Sequence, residues 1–173
     1  MTKTLLIGLA GLFAATAVQA QTPAPGAPPP PPPRARGPAL SIAVEGAQAA
    51  IAACLANGYK TTALVTTSVG IPVALLSTDG AAERTQGVAA SKIGAVIRYK
   101  VPSGDVADRA AKDAALAAEI KADPKIGTAR RGALPLVVGG DFIGAFAVSG
   151  APGGDKDEVC VKAALDKIGG RLK

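Results

Sequence analysis

The sequence predicts an α+β domain, in which an antiparallel β-sheet built from hairpins carries helices on its faces. Three observations support this prediction. Apolar residues recur every three or four positions in several segments, which is typical of amphipathic helices. Two pairs of short apolar and β-branched runs are each joined by a glycine-containing turn, which is typical of hairpins. The order helix, hairpin, helices, hairpin, helix excludes a doubly wound parallel sheet, since parallel strands need long crossovers.

The first 38 residues are expected to lie outside this domain. Residues 1–20 combine Lys3, an apolar run and small residues before a cleavage point near Ala20, which predicts a secretory signal peptide. The run is shorter than the roughly 20 residues of a membrane span, so we expect no stable span. Residues 21–38 contain the unbroken run PPPPPP and predict a stiff polyproline II linker. The mature protein is therefore expected to be periplasmic or secreted, with its domain at residues 39–173.

The predicted elements follow one another along the domain with clear boundaries. Gly58 is suited to end the first helix, Pro102 interrupts the middle of the chain, and Asp155 with Glu158 resembles a capping box at the start of the last helix. The elements are, in order, a helix at 41–57, strands at 61–67 and 71–77, helices at 82–99 and 105–122, strands at 134–138 and 142–149, and a helix at 155–169.

The last predicted strand, FIGAFAVS, is lopsided in side-chain size. Successive side chains of a strand point to opposite faces. One face is therefore expected to carry Phe142, Phe146 and Val148, and the other Ile143, Ala145, Ala147 and Ser149. The second face is small and apolar, so it must lie close against a helix of the same chain, a partner subunit or a flat ligand.

Composition excludes several classes of function. Charges of both signs are interspersed and aromatic residues make up 3% of the chain, whereas nucleic-acid binding favours a basic stripe or stacking aromatics. We therefore expect no nucleic-acid partner, despite the net charge of +6. The chain contains no histidine, which excludes Ser-His-Asp catalysis and His-ligated zinc or haem. No catalytic or metal-binding constellation is predicted, so we favour a binding protein over an enzyme.

Two cysteines, Cys54 and Cys160, lie on the first and last predicted helices. An even pair in an exported protein predicts a disulfide. The bridge would close a loop of about a hundred residues and contribute on the order of 4 kcal/mol. Two buried free thiols are the alternative.

The predicted helix at 82–99 carries the candidate ligand site. One stripe, formed by Ala89, Ile93 and Val96, is expected to pack as core. The neighbouring stripe consists of Val88, Lys92, Ala95 and Tyr99. Its small residue, cation and phenol would suit a flat anionic ligand, and a partly solvated helix edge with a snorkelling lysine is the alternative.

Residues 132–165 resemble the GlcG/HbpS-like family, also called the haem-degrading domain family. The similarity rests on GALPL at 132–136, IGAFAVSG at 143–150 and Asp157 at the start of the last helix. It extends to the DGA turn that begins at Asp79 and to AASKIGAV at 89–96. The resemblance implies an α+β fold, assembly into homo-oligomers and, in some members, haem or corrinoid-related binding.

The resemblance and the helix stripe together give Lys92, Ala95, Tyr99 and Asp79 as candidate ligand-binding residues. Ala95 replaces a threonine of the family helix, and an arginine that precedes the family's DGA turn is replaced by serine here. Haem iron would then have to be held by Tyr59, Tyr99, Lys92 or a hydroxyl. Two hypotheses remain: an exported haem-binding or haem-handling protein, or a non-catalytic oligomeric module that binds a small metabolite or has a structural role.

Overall fold

The structure is a computed structural model that describes residues 34–173. The predicted signal peptide and most of the proline-rich linker lie outside the described residues. The elements are α1 (Leu40–Leu55), β1 (Thr62–Thr67), β2 (Pro72–Ser77), α2 (Arg84–Tyr99), α3 (Ser103–Ala110), α4 (Ala114–Ala122), β3 (Ala133–Val138), β4 (Asp141–Ser149), α5 (Gly154–Ile168) and a 3₁₀ turn at Gly169–Arg171. Within residues 34–173, no helix is both long enough and apolar enough to cross a bilayer.

The four strands form one antiparallel sheet in the order β2-β1-β4-β3. Each hairpin contributes one central and one edge strand, and the hairpins join where β1 pairs with β4. The predicted α+β class is therefore confirmed. The central position of β4 explains its almost entirely apolar sequence, because both of its faces are covered.

Helices cover both faces of the sheet. On one face, α1 and α5 enclose the larger core cluster, which includes Ala47, Val65, Phe146, Val148 and Val161. On the other face, α2 closes a second cluster, which includes Leu64, Ala89, Ile93, Val96 and Ala147. The small side of β4 is thus covered by a helix of the same chain, which was the first of the three predicted alternatives.

The predicted alternation along β4 is wrong at its first two residues. Pairing with β3 passes from Leu136 opposite Gly144 to Val137 opposite Phe142, so Ile143 is an extra residue in the ladder. Because of such a bulge, the side chains that precede it point to the opposite faces of the sheet from those that simple alternation predicts. Phe142 consequently packs on the α2 side, and Ile143 packs with Phe146 on the opposite side.

Two helix boundaries also differ from the prediction. The single helix expected at 105–122 is divided into α3 and α4, because Asp113 caps α4 by accepting hydrogen bonds from the amides of Ala115 and Leu116, each at 3.0 Å. The last helix is capped at Gly153 rather than at Asp155, which lies in its first turn.

The disulfide between Cys54 and Cys160 joins α1 to α5. The two Cα atoms lie 5.5 Å apart, and both residues are buried in the larger core cluster. The bridge therefore links the first and last helices on the same face of the sheet.

Candidate functional site

A cavity of about 710 Å³ opens beside the N-terminal half of α2 and the start of α5. The loop before β3 and the helix α3 form its far side. We call it the cationic cavity, after the side chains that line it. Its charged and hydroxyl-bearing residues are Lys60, Arg84, Thr85, Lys92, Asp108, Arg130, Arg131, Ser149 and Asp157.

An ion pair between Lys92 and Asp157 forms the floor of the cationic cavity. Lys92 Nζ lies 2.6 Å from Asp157 Oδ2 and donates a second hydrogen bond to the carbonyl oxygen of Val148 at 2.8 Å. The other carboxylate oxygen, Asp157 Oδ1, accepts from the amide of Ala151 at 2.9 Å. The Lys92 and Asp157 residues are only 2% and 3% exposed. The pair ties α2 to the end of β4 and to α5.

Gly132 makes room for this pair. A Cβ atom at that position would lie 2.6 Å from Lys92 Nζ and 2.7 Å from Asp157 Cβ. The φ angle of Gly132 is also +118°, a conformation that other residues avoid. The glycine that belongs to the GALPL motif is therefore required by the buried lysine.

Burial shifts both ionisable groups of the pair toward their neutral forms. It lowers the pKa of Lys92, against the opposing attraction of Asp157, and nearby Arg130 lowers it further. It raises the pKa of Asp157, against the opposing attraction of Lys92. The hydrogen bonds from the backbone amide and to the backbone carbonyl favour the charged forms and hold the ionised pair in place.

The mouth of the cationic cavity carries an excess of positive charge. The lining contains five cations and two carboxylates, a net charge of +3. Arg131 donates to Asp108 at 2.7 Å, and Lys92 pairs with Asp157. Within residues 34–173, the remaining cations, Lys60, Arg84 and Arg130, have no carboxylate within 4.0 Å.

The rest of the lining is apolar or carries hydroxyl groups. Val88, Ala107 and Ala129 contribute apolar surface. Thr85 and Ser149 are both 4% exposed, and the Thr85 hydroxyl donates to the carbonyl of Ala82 at 2.7 Å. A ligand with an apolar body and anionic groups at one edge would match this arrangement.

The structure places one of the four predicted ligand residues, Lys92, in the cavity. Ala95, a residue of α2, is fully buried where α2 packs against α3 and α4. Tyr99 lies near the end of α2, where its hydroxyl donates to Glu119 Oε1 at 3.2 Å. Asp79 is exposed in the turn after β2 and is absent from the lining. The predicted stripe is divided because α3 and α4 cover the C-terminal half of α2.

Several lining residues were not singled out from the sequence. Arg130 and Arg131 lie between the helix predicted at 105–122 and the strand predicted at 134–138, and Asp108 lies within that predicted helix. The one feature of the sequence that could have indicated the two arginines is that they are adjacent and lie just before a strand. Which side of the molecule such a pair faces depends on the path of the loop.

The cationic cavity fits the carboxylates of haem better than its iron. Lys92 is committed to its ion pair, and Tyr59 and Tyr99 lie outside the lining. Of the side chains considered as iron ligands, the hydroxyls of Thr85 and Ser149 remain in the cavity. Protein haem is held by His, Cys, Met or Tyr, and a neutral aliphatic hydroxyl is a much weaker ligand. The cations at the mouth, in contrast, are suited to propionate groups.

The family profile described as haem degrading protein HbpS-like matches residues 39–166. A crystal structure of HbpS superposes with a TM-score of 0.70 at 25% identity, covering 79% of this chain and 93% of that one. A double mutant of HbpS from Streptomyces reticuli gives 0.70 at 24% identity, covering 90% and 98%. The PduOC:haem complex gives 0.68 at 16% identity, covering 75% and 94%.

No match was found among curated proteins. The profile match covers most of the chain and nearly all of the described domain. It includes the floor of the cationic cavity, the disulfide and all four strands. The chain therefore belongs to the HbpS-like family.

Proposed function

We propose that this protein is an exported haem-binding or haem-handling member of the HbpS-like family, and that the cationic cavity is its ligand site. The observation that carries the proposal is a group of three cations around a partly apolar cavity. These cations, Lys60, Arg84 and Arg130, have no carboxylate partner in the described part of the chain. Haem presents a flat apolar ring with two propionates at one edge. A family relative, PduOC, is described as a complex with haem.

In this proposal, the residues of the chain act by position and charge. Arg84 and Arg130 meet the propionates at the mouth, where charge-assisted hydrogen bonds are strongest if water is partly excluded. Val88 and Ala129 contact the ring. Lys92 is the predicted ligand residue that the proposal retains, on the cavity floor. We assign no reaction to the iron, because the lining offers it no strong ligand.

Export is the second part of the proposal. Its supports are the predicted cleavage near Ala20 and the disulfide, since disulfides persist in the periplasm and outside the cell. We also propose a homo-oligomer, as the family resemblance implies. Val69 and Ile71, which are 60% and 56% exposed beside the β1–β2 turn, provide apolar surface for such contacts. Light scattering of the secreted protein measures the mass of its assembly, and mass spectrometry of the denatured chain tests for cleavage near Ala20.

A haem-free function is supported by one specific observation: among residues 34–173, no strong iron ligand belongs to the lining of the cationic cavity. Under this alternative, the same cations bind a small anionic metabolite. The two functions share the site but differ in the ligand.

Titration with haemin tests the leading proposal. We expect a shifted Soret band that saturates with the wild-type protein. The double variant Arg84→Gln/Arg130→Gln should bind at least about tenfold more weakly, because two charge-assisted contacts of about 1 kcal/mol each are lost. Lys112→Gln is the matched control, since Lys112 is exposed and lies outside the cavity. No Soret change up to the solubility limit of haemin would refute the proposal.

A further inference from the structure

The charged side chains that line the cationic cavity suit an anionic group better than a metal ion. Lys60, Arg84 and Arg130 are cations, which repel a metal ion and attract carboxylates. The two carboxylates of the lining are already occupied, since Asp108 accepts from Arg131 at 2.7 Å and Asp157 from Lys92 at 2.6 Å. The charge pattern therefore selects the acidic edge of a ligand.

Lys92 contributes a directed donor at the bottom of the cavity. A protonated lysine has three N–H groups. Two of them are used, toward Asp157 Oδ2 and the carbonyl of Val148. The third has no partner among the described residues, and Lys92 belongs to the lining of the cavity. A metal would need the lone pair that protonation removes.

Arg131 is held at the mouth by an exchangeable partner. Its Nη2 donates to Asp108, whose side chain is 62% exposed, and its Nη1 lies 3.6 Å from Glu158 Oε2, beyond hydrogen-bonding distance. Exposed ion pairs contribute little stability, about 0–1 kcal/mol. A ligand carboxylate can therefore replace Asp108 and take both donors of the guanidinium.

We propose that the cationic cavity recognises the carboxylates of a flat amphipathic ligand and leaves any metal in its centre uncoordinated. The site would then bind metal-free protoporphyrin as tightly as haemin. This inference rests on the proposed function, because it takes the same cavity as the ligand site. It goes further by assigning recognition to the acidic edge alone and by giving Asp108 the role of an internal competitor for Arg131.

Equilibrium dialysis against three probes tests the inference with the full processed chain: haemin, metal-free protoporphyrin IX and protoporphyrin IX dimethyl ester. The chain has no tryptophan whose fluorescence could report binding, so we choose dialysis, which needs no signal from the protein. We expect the first two dissociation constants to agree within about threefold and the ester to bind at least about tenfold more weakly.

Two variants separate the roles of Asp108 and Arg131 at the mouth. Asp108→Asn removes the competitor for Arg131 and should tighten the binding of metal-free protoporphyrin by about threefold. Arg131→Gln should weaken it by about tenfold. Lys112→Gln again serves as the control, and circular dichroism establishes that each variant is folded.

The outcomes distinguish the inference from the proposed function. If haemin binds and the metal-free porphyrin does not, the iron is recognised and the inference fails while the proposed function stands. If the ester binds as well as the acid, apolar contact alone drives binding and the inference also fails. If no porphyrin binds, the proposed function itself is refuted.

Discussion

Lys92 lies at the middle of α2 with its ammonium almost entirely out of water, because Asp157 and the Val148 carbonyl surround it. Removing two ions from water costs several kcal/mol each, and the attraction between them offsets that cost only while both are present. Each of the two charges is therefore tolerated in the interior only while the other is present. Its position in the cavity floor places this stabilising pair in the proposed ligand site.

We predict that Lys92→Met destabilises the protein by about 3–5 kcal/mol at neutral pH, because it leaves Asp157 charged and buried without a partner. Urea denaturation measures the change. The double variant Lys92→Met/Asp157→Asn should be more stable than the single variant, since it leaves no buried charge and keeps an acceptor for the Ala151 amide. A double variant less stable than Lys92→Met would contradict this account.

The pH dependence of Lys92→Met follows from the same geometry. Without the lysine, burial raises the pKa of Asp157 further above its ordinary value of 3.8. The folded state then binds a proton more readily than the unfolded state, so stability rises as pH falls from neutral toward 4. The difference in the free energy of unfolding between wild type and the Lys92→Met variant should therefore decrease over that range. A gap that widens toward pH 4 would show that Asp157 is not the cause.

At the scale of the element, α2 performs three tasks along its length. Its first half lines the cationic cavity, one stripe covers the small side of β4, and its second half packs on α3 and α4. The loop that follows α4 packs closely on α2 at Gly94, where a Cβ atom would overlap the carbonyl of Lys125. Gly87, on the same helix, has no heavy atom within 4 Å of its Cβ position.

We predict opposite effects for alanine at these two glycines. Gly87→Ala should stabilise the protein by about 0.5–1 kcal/mol, because alanine is favoured over glycine inside a helix. Gly94→Ala gains the same propensity but should be destabilising overall by about 1–3 kcal/mol, since the backbone of residue 125 must move. Thermal and urea unfolding of both variants measure the difference. Equal stabilisation by the two substitutions would contradict the contact at Lys125.

Element boundaries show where a sequence pattern is ambiguous. Asp113 and Asp155 both precede helical sequence, but Asp113 caps its helix and Asp155 does not. A cap needs extended backbone at its own position, and the loop that leaves β4 places Gly153 there instead. The bulge at Ile143 is a second ambiguity of this kind. The alternation of residues along β4 gives no sign that β4 has one residue more than its partner strand β3 at this point.

At the scale of the whole molecule, the disulfide joins two cysteines that are 106 residues apart in sequence, one on the first helix and one on the last. It constrains the unfolded chain far more than it constrains the packed core. We predict that Cys54→Ala/Cys160→Ala lowers the free energy of unfolding by about 4 kcal/mol. Urea denaturation of the oxidised wild type against the double variant tests this value.

Thiol titration provides the control for that prediction. The oxidised protein, denatured without reductant, should contain no titratable thiol, and reduction should release both. Titration of two thiols in the unreduced protein would show that the bridge does not form. Lysine and arginine variants at the cavity mouth should leave the thiol count unchanged.

The sequence by itself determined the α+β class, the two hairpins, the pairing of Cys54 with Cys160 and the core stripe of α2. Each of these is encoded by local periodicity, by turn residues or by the count of one residue type. Only the tertiary structure decided that Arg84, Arg130 and Asp108 meet around one cavity, and that Ala95 and Tyr99 lie away from it. Such neighbourhoods depend on how loops and helices pack across the sheet, and contacts between residues far apart in sequence leave no periodic signal in the chain.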